Sequence, residues 1–406
     1  MTGLHRLLVN QAGTFLGDAL LIAAFPLLAV HVTRSPALIS AVGASATLPW
    51  VVVGLPSGLA ADRWERRRLM ASASLLGCLL LLALAAIVGA GHDSVVALAA
   101  IAFSVGCTQV LVGNVGSALM PQVVHSGALT SANAKLFVAQ QIVGQLAGPP
   151  LAGLLIGVAL SAPVIAAAAC YGLAAAVLLT WQASFRASTN ARDRAPIHHE
   201  LTAGFAKLVR QRQLLTFAVT TAVLNLAIQA VMVVLVLYAV APGPLGITRA
   251  EYGLLLAAFA VGGVAGAPLA PRLARAVGRG RLLTICIPVF PAGLAVPALW
   301  PSALATGVAF AAIGAVSCLY NVTTVAFRQR VIPASHLGRV TASYRLLSFG
   351  ALPLGAALGG LIASQLGVRA VFPIAAAIAM LTALGLPFVR ERSLRAAETQ
   401  AGQATA

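Results

Sequence analysis

The residue best suited to chemistry in this sequence is a single acid deep inside an apolar segment. Asp18 lies about ten residues into the run 8–30, whereas the other eight of the nine acids lie in loops, at segment ends or near the C-terminus. An ionised carboxylate is costly in hydrocarbon, so the neutral form is favoured there. Such a group can take up and release a proton as its surroundings change between dry and wet. Asp18 is therefore the candidate proton-coupling residue; the alternative is a structural polar group held by a neighbouring helix.

A second candidate is the stretch GLAADRWERRR, which carries six charges in a chain where only 9% of residues are charged. Long apolar runs flank it on both sides. Because charged side chains are excluded from hydrocarbon, the stretch must lie at a membrane surface as a short interfacial turn. The charged residues are Asp62, Arg63, Glu65, Arg66, Arg67 and Arg68.

The elements that must position these residues are long apolar helices. The chain has 406 residues, 60% of them hydrophobic, and a mean hydropathy of +0.96, so its polar side chains are too few to cover a soluble protein. A membrane-spanning helix needs about 20 mostly apolar residues. Twelve runs meet this need and predict an all-α integral membrane protein: 8–30, 37–60, 69–90, 94–118, 137–159, 163–185, 214–240, 251–271, 281–299, 302–326, 343–363 and 370–389.

The net charge of +17 follows the order of these runs. If the N-terminus is cytoplasmic, only three of the 26 Lys and Arg residues, Arg34, Arg249 and Arg369, fall on the outer side. Positive residues concentrate on the cytoplasmic side of membrane proteins, so an even number of spans with both termini inside is predicted. The basic residues are then expected to contact anionic lipid headgroups, and nucleic acid is not expected as a partner.

No pattern in the sequence indicates an enzyme or a bound cofactor. His198 and His199 lie in a polar stretch without further ligands, so no metal site is expected. A phosphate-binding glycine loop and a catalytic Ser/His/Asp arrangement are also lacking, which disfavours an ATP-driven pump. The cysteines have no CxxC pair or metal spacing and are expected to be packing residues within the spans: Cys78, Cys107, Cys170, Cys286 and Cys318.

The chain repeats itself with a period of about 207 residues. Asn114 corresponds to Asn321, and GPPLAGLL from Gly148 corresponds to GAALGGLI from Gly355. The second half keeps the basic residues of the charged stretch, in PRLARAVGRGRLL from Pro271, but none of its acids. The repeat predicts six-helix domains at 1–186 and 213–392, a cytoplasmic linker at 187–212 and a cytoplasmic tail at 393–406.

The charged stretch resembles the loop between the second and third helices of major facilitator superfamily transporters. Glu65 stands where the family usually has glycine. The resemblance implies twelve helices in two pseudo-symmetric six-helix bundles, with the substrate near the midplane between them. Five residues match the family motif and are implied to act in gating: Gly58, Asp62, Arg63, Arg66 and Arg67.

The fifth predicted span contains GQLAGPPLAG, which resembles the motif associated with antiporters of this superfamily. A glycine-proline pair interrupts the helical hydrogen-bond ladder, and small residues allow another backbone to approach closely. In the family the partner is the eighth span, which carries a compatible glycine face here. Lys135 stands where the family has an earlier glycine; the alternative reading is the ordinary enrichment of glycine and proline in membrane helices. The residues implied at the break and the interface are Gly144, Gly148, Pro149, Gly153, Gly262 and Gly266.

The resemblance also places Asp62 at the inner end of the second helix, where the family uses this carboxylate to cap the start of the eleventh. That start lies near Thr341, Tyr344 and Arg345 in this sequence. A contact of Asp62 with Arg345 or with the helix cap would hold the inner side shut. The alternative is that Asp62 only sets topology.

Polar residues inside the spans either line a cavity or bond to neighbouring helices, because polar groups that face lipid would be unsatisfied. A helix–helix hydrogen bond is the alternative to substrate contact for each of them. The candidates for substrate contact are Asn114, Gln141, Asn225 and Asn321.

The segment VIPASHLGRVTASYRLLSFGALPLGAALGG, from Val331, is similar to the branch of macrolide-efflux and enterobactin-type siderophore exporters. The predicted function is proton-coupled export of a small amphiphilic molecule, either a drug-like compound or a secreted metabolite such as a siderophore, by a monomer in the inner membrane. Neutral or cationic cargo is expected, since Asp18 is the lone buried charge and no basic partner is evident in the cavity. The alternatives are a facilitative or proton-symport importer on the same fold and a non-transporting membrane sensor.

Overall fold

The computed structural model describes residues 3–54, 56–92, 94–124, 132, 135–136, 138–183, 185, 205–332 and 334–403. Eleven helical segments in these ranges are long and apolar enough to cross a membrane, and the described residues form no β-strand, which confirms the all-α fold class. The α-helices are α1 (Gly3–Val32), α2 (Pro36–Thr47), α3 (Pro49–Val52), α4 (Pro56–Arg63), α5 (Arg66–Gly89), α6 (Val95–Val123), α7 (Gly148–Val158), α8 (Ala162–Leu179), α9 (Arg212–Ala239), α10 (Arg249–Val277), α11 (Arg279–Leu299), α12 (Ala303–Val331), α13 (Ala334–Leu366), α14 (Val371–Met380) and α15 (Glu391–Gln403).

The second predicted span, 37–60, is not a continuous helix. It is divided into α2, α3 and α4, and the last two begin at Pro49 and Pro56. Proline has no N–H group with which to continue the hydrogen-bond ladder, so each of these residues starts a helix more readily than it extends one. A Cβ at Gly54 would collide with the carbonyl oxygen of Trp50, so this tight turn requires glycine. The break explains why eleven long apolar helices are present where the sequence predicts twelve spans.

The fifth predicted span changes helix type along its length. Gln140–Ala147 is a π-helix, and α7 follows it directly from Gly148. Pro149 and Pro150 lack the N–H groups that an α-helix would donate back to the preceding turn, so the regular ladder is interrupted where the two helices meet. π-Helical turns are rare and occur frequently at functional sites.

The chain forms two compact units. Unit 1 comprises Met1–Arg194 and Ala239–Ala257, and unit 2 comprises Ala195–Tyr238 and Ala258–Ala406. Each unit has its own apolar core: Leu7, Met70, Val115 and Leu178 are buried in unit 1, and Phe217, Phe327 and Leu394 are buried in unit 2. The predicted domain borders at 186 and 213 remain a prediction, and residues 187–204 of the predicted linker lie outside the described residues.

The predicted cytoplasmic tail includes a packed helix, α15. Leu394 and Ala397, three residues apart on one face, are buried in the core of unit 2. The predicted border at 393 lies within α15, which begins at Glu391 and ends at Gln403, and it remains a prediction. A charged sequence with apolar residues at helical spacing is expected to pack in this way.

Two acids of α15 bind the basic turn at the start of α11. The Gly280 backbone N–H donates to Glu391 Oε2 at 2.8 Å. The Arg279 guanidinium donates two hydrogen bonds to the Glu398 carboxylate, one of them from Nη2 to Oε2 at 2.8 Å. Arg330 Nη1 also lies 3.5 Å from Glu398 Oε1. The second half of the chain thus obtains from α15 the acids that its own charged stretch lacks.

These contacts predict that acid weakens the attachment of α15. The Arg279 guanidinium holds the pKa of Glu398 below its usual value of 4.5, and the Gly280 N–H does the same for the pKa of Glu391. A carboxylate whose pKa is lower in the folded state stabilises that state above its unfolded pKa, and this contribution is lost as the pH falls through the folded value. We expect hydrogen-exchange protection of α15, corrected for intrinsic rates, to fall below pH 4.5. Glu398→Gln should lower it already at neutral pH.

Arg392→Gln is the control for this experiment, because Arg392 is an exposed residue of the same helix. This variant should retain the wild-type protection at neutral pH. Unchanged protection of α15 on acidification would contradict the proposed role of the two carboxylates.

Candidate functional site

Asp18 forms a hydrogen-bonded pair with a tyrosine in unit 1. Asp18 lies in the middle of α1, and Tyr171 lies in the middle of α8. The Tyr171 hydroxyl donates to Asp18 Oδ1, and the side chain of Gln109, on α6, lies beside both groups. Tyr171 is fully buried, whereas the Asp18 side chain is only partly buried. The hydrogen bond fixes one carboxyl oxygen, and the partial exposure of the side chain allows the hydration of the acid to change.

Two glycines make room for the Tyr171 ring. A Cβ at Gly17 of α1 would lie 2.9 Å from Cδ2 and Cε2 of the ring, and a Cβ at Gly77 of α5 would lie 2.8 Å from Cδ1. Both distances are shorter than carbon atoms tolerate, so a larger residue at either position would displace the ring. The ring is therefore wedged between α1 and α5, and its position determines whether the hydroxyl reaches Asp18.

A second polar contact joins α1 and α8, the helices that carry Asp18 and Tyr171. Asn10 Nδ2 of α1 donates to the Ala174 carbonyl oxygen of α8 at 2.9 Å, one helical turn beyond Tyr171. Sequence reasoning identified Asp18 but missed Tyr171 as its partner. The signal was a tyrosine within an otherwise apolar span, because a buried phenolic hydroxyl normally requires a hydrogen-bond partner.

The charged stretch between α4 and α5 joins several helix ends within unit 1. Arg66 donates to the carbonyl oxygens of Ala61, at 2.9 Å, and Ala118, at 2.8 Å, and Arg67 donates to that of Leu178 at 3.1 Å. These carbonyls lie near the C-terminal ends of α4, α6 and α8, where cations interact favourably with unsatisfied oxygens and the helix dipole.

Glu65 is the N-cap of α5. Its carboxylate accepts from the Arg68 N–H at 3.3 Å and from the Phe185 N–H at 3.3 Å. Its backbone is extended, with φ −66° and ψ 114°, so this turn does not need the glycine that the family usually has.

The remaining residues of the predicted gate are less constrained by contacts. Gly58 and Arg63 are exposed, and a Cβ at Gly58 would meet nothing within 4 Å. The Asp62 side chain lies outside the described residues, so its predicted contact with Arg345 stays a prediction.

The glycines of the fifth predicted span face α1 and the start of α10, all within unit 1. A Cβ at Gly148 would collide with the Ala19 side chain, and one at Gly153 would lie 2.8 Å from the Arg249 carbonyl oxygen. Gly144 is buried with its Cβ position 3.6 Å from Phe15 Cβ. The Gly148 contact falls one residue after Asp18, so the helix break lies directly beside the candidate proton carrier.

The eighth-span glycines have a different neighbour from the one that the resemblance implies. Cβ positions at Gly262 and Gly266 meet Ala311 and Ala315 of α12, in unit 2. The close approach of α10 to the fifth span lies at Gly253 instead, where a Cβ would collide with the carbonyl of Pro149. The difference arises because α10 presents glycines at both of its ends, and a single sequence does not indicate which of them faces which helix.

Unit 2 contains a cavity of about 500 Å³. Its lining combines aromatic and aliphatic side chains with hydroxyls and amides, and includes two of the predicted substrate contacts, Asn225 and Asn321. Arg328 and Arg345 also line it. The expectation that the cavity offers no basic side chain is therefore wrong for this part of the protein. For Arg328 the reason is that α12 continues to Val331, beyond the predicted span 302–326, whereas Arg345 lies at the start of the predicted span 343–363.

The four predicted substrate contacts lie in different surroundings. Asn114 donates from α6 to Ser57 Oγ at 2.7 Å and to the Gly54 carbonyl at 3.2 Å, at the break of the second span. Asn225 donates to the Ser348 carbonyl at 2.9 Å, and Asn321 is exposed toward the unit 2 cavity. Gln141 is a partly buried residue of the π-helix.

Comparison with known proteins identifies the family. Residues 8–405 match the MFS_3 family, described as transmembrane secretion effector. The uncharacterized MFS-type transporter y4rN of Sinorhizobium fredii (strain NBRC 101917 / NGR234) is 28% identical over 403 residues, which cover 94% of this chain and 93% of that protein.

Solved transporter structures share the fold. The nucleoside transporter NupG has a TM-score of 0.76 at 15% identity, over 95% of this chain and 98% of that chain. A bacterial homologue of the iron transporter ferroportin, in an inward-facing state, has a TM-score of 0.70 at 17% identity over 95% and 98%. Such low identities establish the fold and not the substrate. The family match over nearly the whole sequence, together with this shared fold, leads to one conclusion. This chain is a multi-pass membrane transporter of the major facilitator type, not an enzyme, and belongs to the transmembrane secretion effector family.

Proposed function

We propose that this protein is a proton-coupled exporter of small amphiphilic molecules, with Asp18 as the proton carrier. The observation that supports this most is the hydrogen bond between the Asp18 carboxyl and the Tyr171 hydroxyl, which joins two membrane helices. Ionisable residues within membrane spans commonly serve proton relays, because a purely structural role there is costly. The family description refers to secretion, which favours export over uptake.

The break in the fifth span supports antiport. The π-helix ends at Ala147, and the next residue, Gly148, packs against Ala19, the residue after Asp18. A change in the bend of this span would therefore move the backbone next to the carboxyl, as coupling of cargo movement to protonation requires. Gly144, Pro149 and Gly153 belong to the same proposed device, and Gly262 and Gly266 contribute through the packing of α10 on α12.

The charged stretch is proposed to act as the inner gate. Arg66 and Arg67 bind the ends of three helices, so they would transmit movement of one helix to the others. Asp62 and Arg345 remain the proposed latch of this gate, with Gly58 and Arg63 at its exposed surface.

The proposed cargo is a drug-like compound or a secreted metabolite such as a siderophore, as in the macrolide-efflux and enterobactin-type exporters that the C-terminal sequence resembles. Asn114, Gln141, Asn225 and Asn321 remain the proposed contacts. The proposed location is the inner membrane, with both termini in the cytoplasm and the protein working as a monomer among membrane lipids.

The test uses the purified protein in liposomes with a pH-sensitive dye in the lumen. Amphiphilic cations, macrolides and siderophores are supplied one at a time on one side. Antiport predicts that a cargo gradient drives protons in the opposite direction, toward the cargo's source. Protons that move with the cargo would indicate a symporter, cargo flux without proton movement a facilitator, and cargo binding without flux a sensor; each of these results would overturn the proposal.

A further inference from the structure

The unit 2 cavity contains two cations and no acid. Arg328 projects from α12 and Arg345 from α13, and both line the cavity. None of the described lining residues is an aspartate or a glutamate, and neither arginine forms an ion pair with a described carboxylate. Arg328 is partly buried and Arg345 is exposed. Two like charges that line one cavity repel each other, so an anion placed between them would be stabilised.

The Arg328 guanidinium is held in a defined position. It lies over the Tyr344 ring, with Cζ 3.8 Å from the ring centroid. Tyr344 is itself fixed, because its hydroxyl lies 2.5 Å from Thr221 Oγ1 and donates to the Phe217 carbonyl at 3.2 Å. A guanidinium held over an aromatic face is attracted by the ring, and its N–H groups remain available to donate to an anionic ligand. Tyr344 therefore acts as a positioning residue for Arg328.

The remaining walls suit an apolar body attached to the anionic group. The volume of about 500 Å³ is within the range of small-molecule sites, roughly 300–1,000 Å³. The amides of Asn225 and Asn321 add hydrogen-bonding groups, although Asn225 already donates to Ser348. The apolar side chains of the lining are Leu224, Ile228, Phe259, Phe290, Val325 and Phe349.

We propose that this cavity binds an amphiphilic anion, with a carboxylate, sulfonate or phosphate between Arg328 and Arg345 and an aromatic or branched apolar body against the opposite wall. This inference deepens the proposed function. It rests on that function only where it identifies the bound anion as the transported cargo. It replaces the expectation of neutral or cationic cargo. An anion at Arg345 would also compete with the proposed Asp62 latch for the same guanidinium.

The test measures binding at equilibrium, without a gradient. The full chain is placed in nanodiscs of zwitterionic phosphatidylcholine, and its thermal unfolding midpoint is followed with 1-naphthoate, which carries a carboxylate on an aromatic body. The neutral analogue 1-naphthamide has nearly the same shape. We expect saturable stabilisation by naphthoate and little by naphthamide, because only a ligand that binds the folded state raises the midpoint.

Substitutions assign the site. Arg328→Gln and Arg345→Gln should each weaken naphthoate binding about tenfold or more, because each removes one partner of a charge pair. Arg328→Lys should recover part of the affinity, since it keeps the charge and loses the planar donor arrangement. Arg330→Gln is the matched control, because Arg330 lies two residues after Arg328 on the same helix and outside the cavity lining. This variant should bind naphthoate as the wild type does.

Several outcomes would overturn the inference. These are the absence of saturable naphthoate binding to the wild type, equal binding of naphthamide, and arginine variants that bind naphthoate normally. Displacement of naphthoate by added phosphatidylglycerol would also overturn the assignment to a cargo, because the anion would then be a lipid headgroup. Since no gradient is involved, a failure of proton coupling in liposomes would refute the proposed function and leave this result unchanged.

Discussion

Asp18→Asn is expected to abolish proton-driven transport while the protein remains folded. Asparagine has the shape of a protonated carboxyl group but cannot ionise. A transport cycle that needs both the protonated and the ionised form of residue 18 therefore loses its coupling step. If one proton is exchanged per cargo molecule, a pH difference of one unit across the membrane sustains a cargo concentration ratio of about tenfold, because both correspond to about 1.4 kcal/mol. The variant should sustain a ratio near one in liposomes with an imposed pH gradient. Downhill exchange of cargo can persist.

Two further variants make this experiment specific. Glu251→Gln makes the same acid-to-amide change at an exposed residue at the start of α10 and should couple as the wild type does. Tyr171→Phe keeps the ring between Gly17 and Gly77 and removes only the hydroxyl that binds Asp18. It should transport cargo with an altered pH profile. Full proton-driven transport by Asp18→Asn would show that another residue carries the proton.

Gly77→Ala is expected to reduce both stability and coupling through the Tyr171 ring. The added methyl group would lie 2.8 Å from Cδ1 of that ring and 3.1 Å from Thr108 Oγ1, so the ring must move or the helices must separate. Overpacking of this kind typically costs about 1–3 kcal/mol. A ring displaced from this position carries its hydroxyl away from Asp18. The expected result is a lower thermal midpoint together with a proton-coupling defect that resembles that of Tyr171→Phe.

Gly89→Ala provides the matched control on the same helix. Gly89 is the last residue of α5, and a Cβ there would meet nothing within 4 Å. This variant should show the wild-type midpoint and the wild-type coupling. If Gly77→Ala behaves in the same way as Gly89→Ala, the ring is not wedged and the geometry around Asp18 is different.

The long helices could be predicted from the sequence because apolar length alone specifies a membrane span. The break in the second span could not be predicted as firmly. Pro49 and Pro56 are visible in the sequence, but membrane helices also tolerate proline, as α1 does at Pro26. Whether a proline bends a helix or divides it depends on the neighbouring residues, here the tight turn at Gly54 and the Asn114 side chain that binds its carbonyl.

Asp18 could be recognised because its charge is out of place, which is a property of the sequence itself. Its partner Tyr171 is 153 residues away and is brought into contact only by the packing of α8 on α1. That packing depends on the absence of side chains at Gly17 and Gly77. A missing side chain gives no direct signal in one sequence, because glycine is common in membrane helices for many reasons.

Arg328 in the unit 2 cavity could not be predicted for another reason. It follows the apolar run 302–326, so the sequence places it outside the predicted span. The helix in fact continues to Val331. Hydropathy locates the edge of an apolar run, but a helix can extend past that edge, and the extra turn then contributes polar residues to a cavity.

The distance along the chain between the basic turn of the second half and its acids has a consequence for biosynthesis. Glu65 lies within the first charged stretch, next to Arg66, whereas Arg279 binds Glu398, which is made 119 residues later. At roughly 5–20 residues per second, the ribosome needs about 6 to 24 seconds to make that interval. On the proposed topology, which places this end of α11 on the cytoplasmic side, these arginines would contact the anionic headgroups of the cytoplasmic leaflet during this time, until α15 is made and displaces the headgroups.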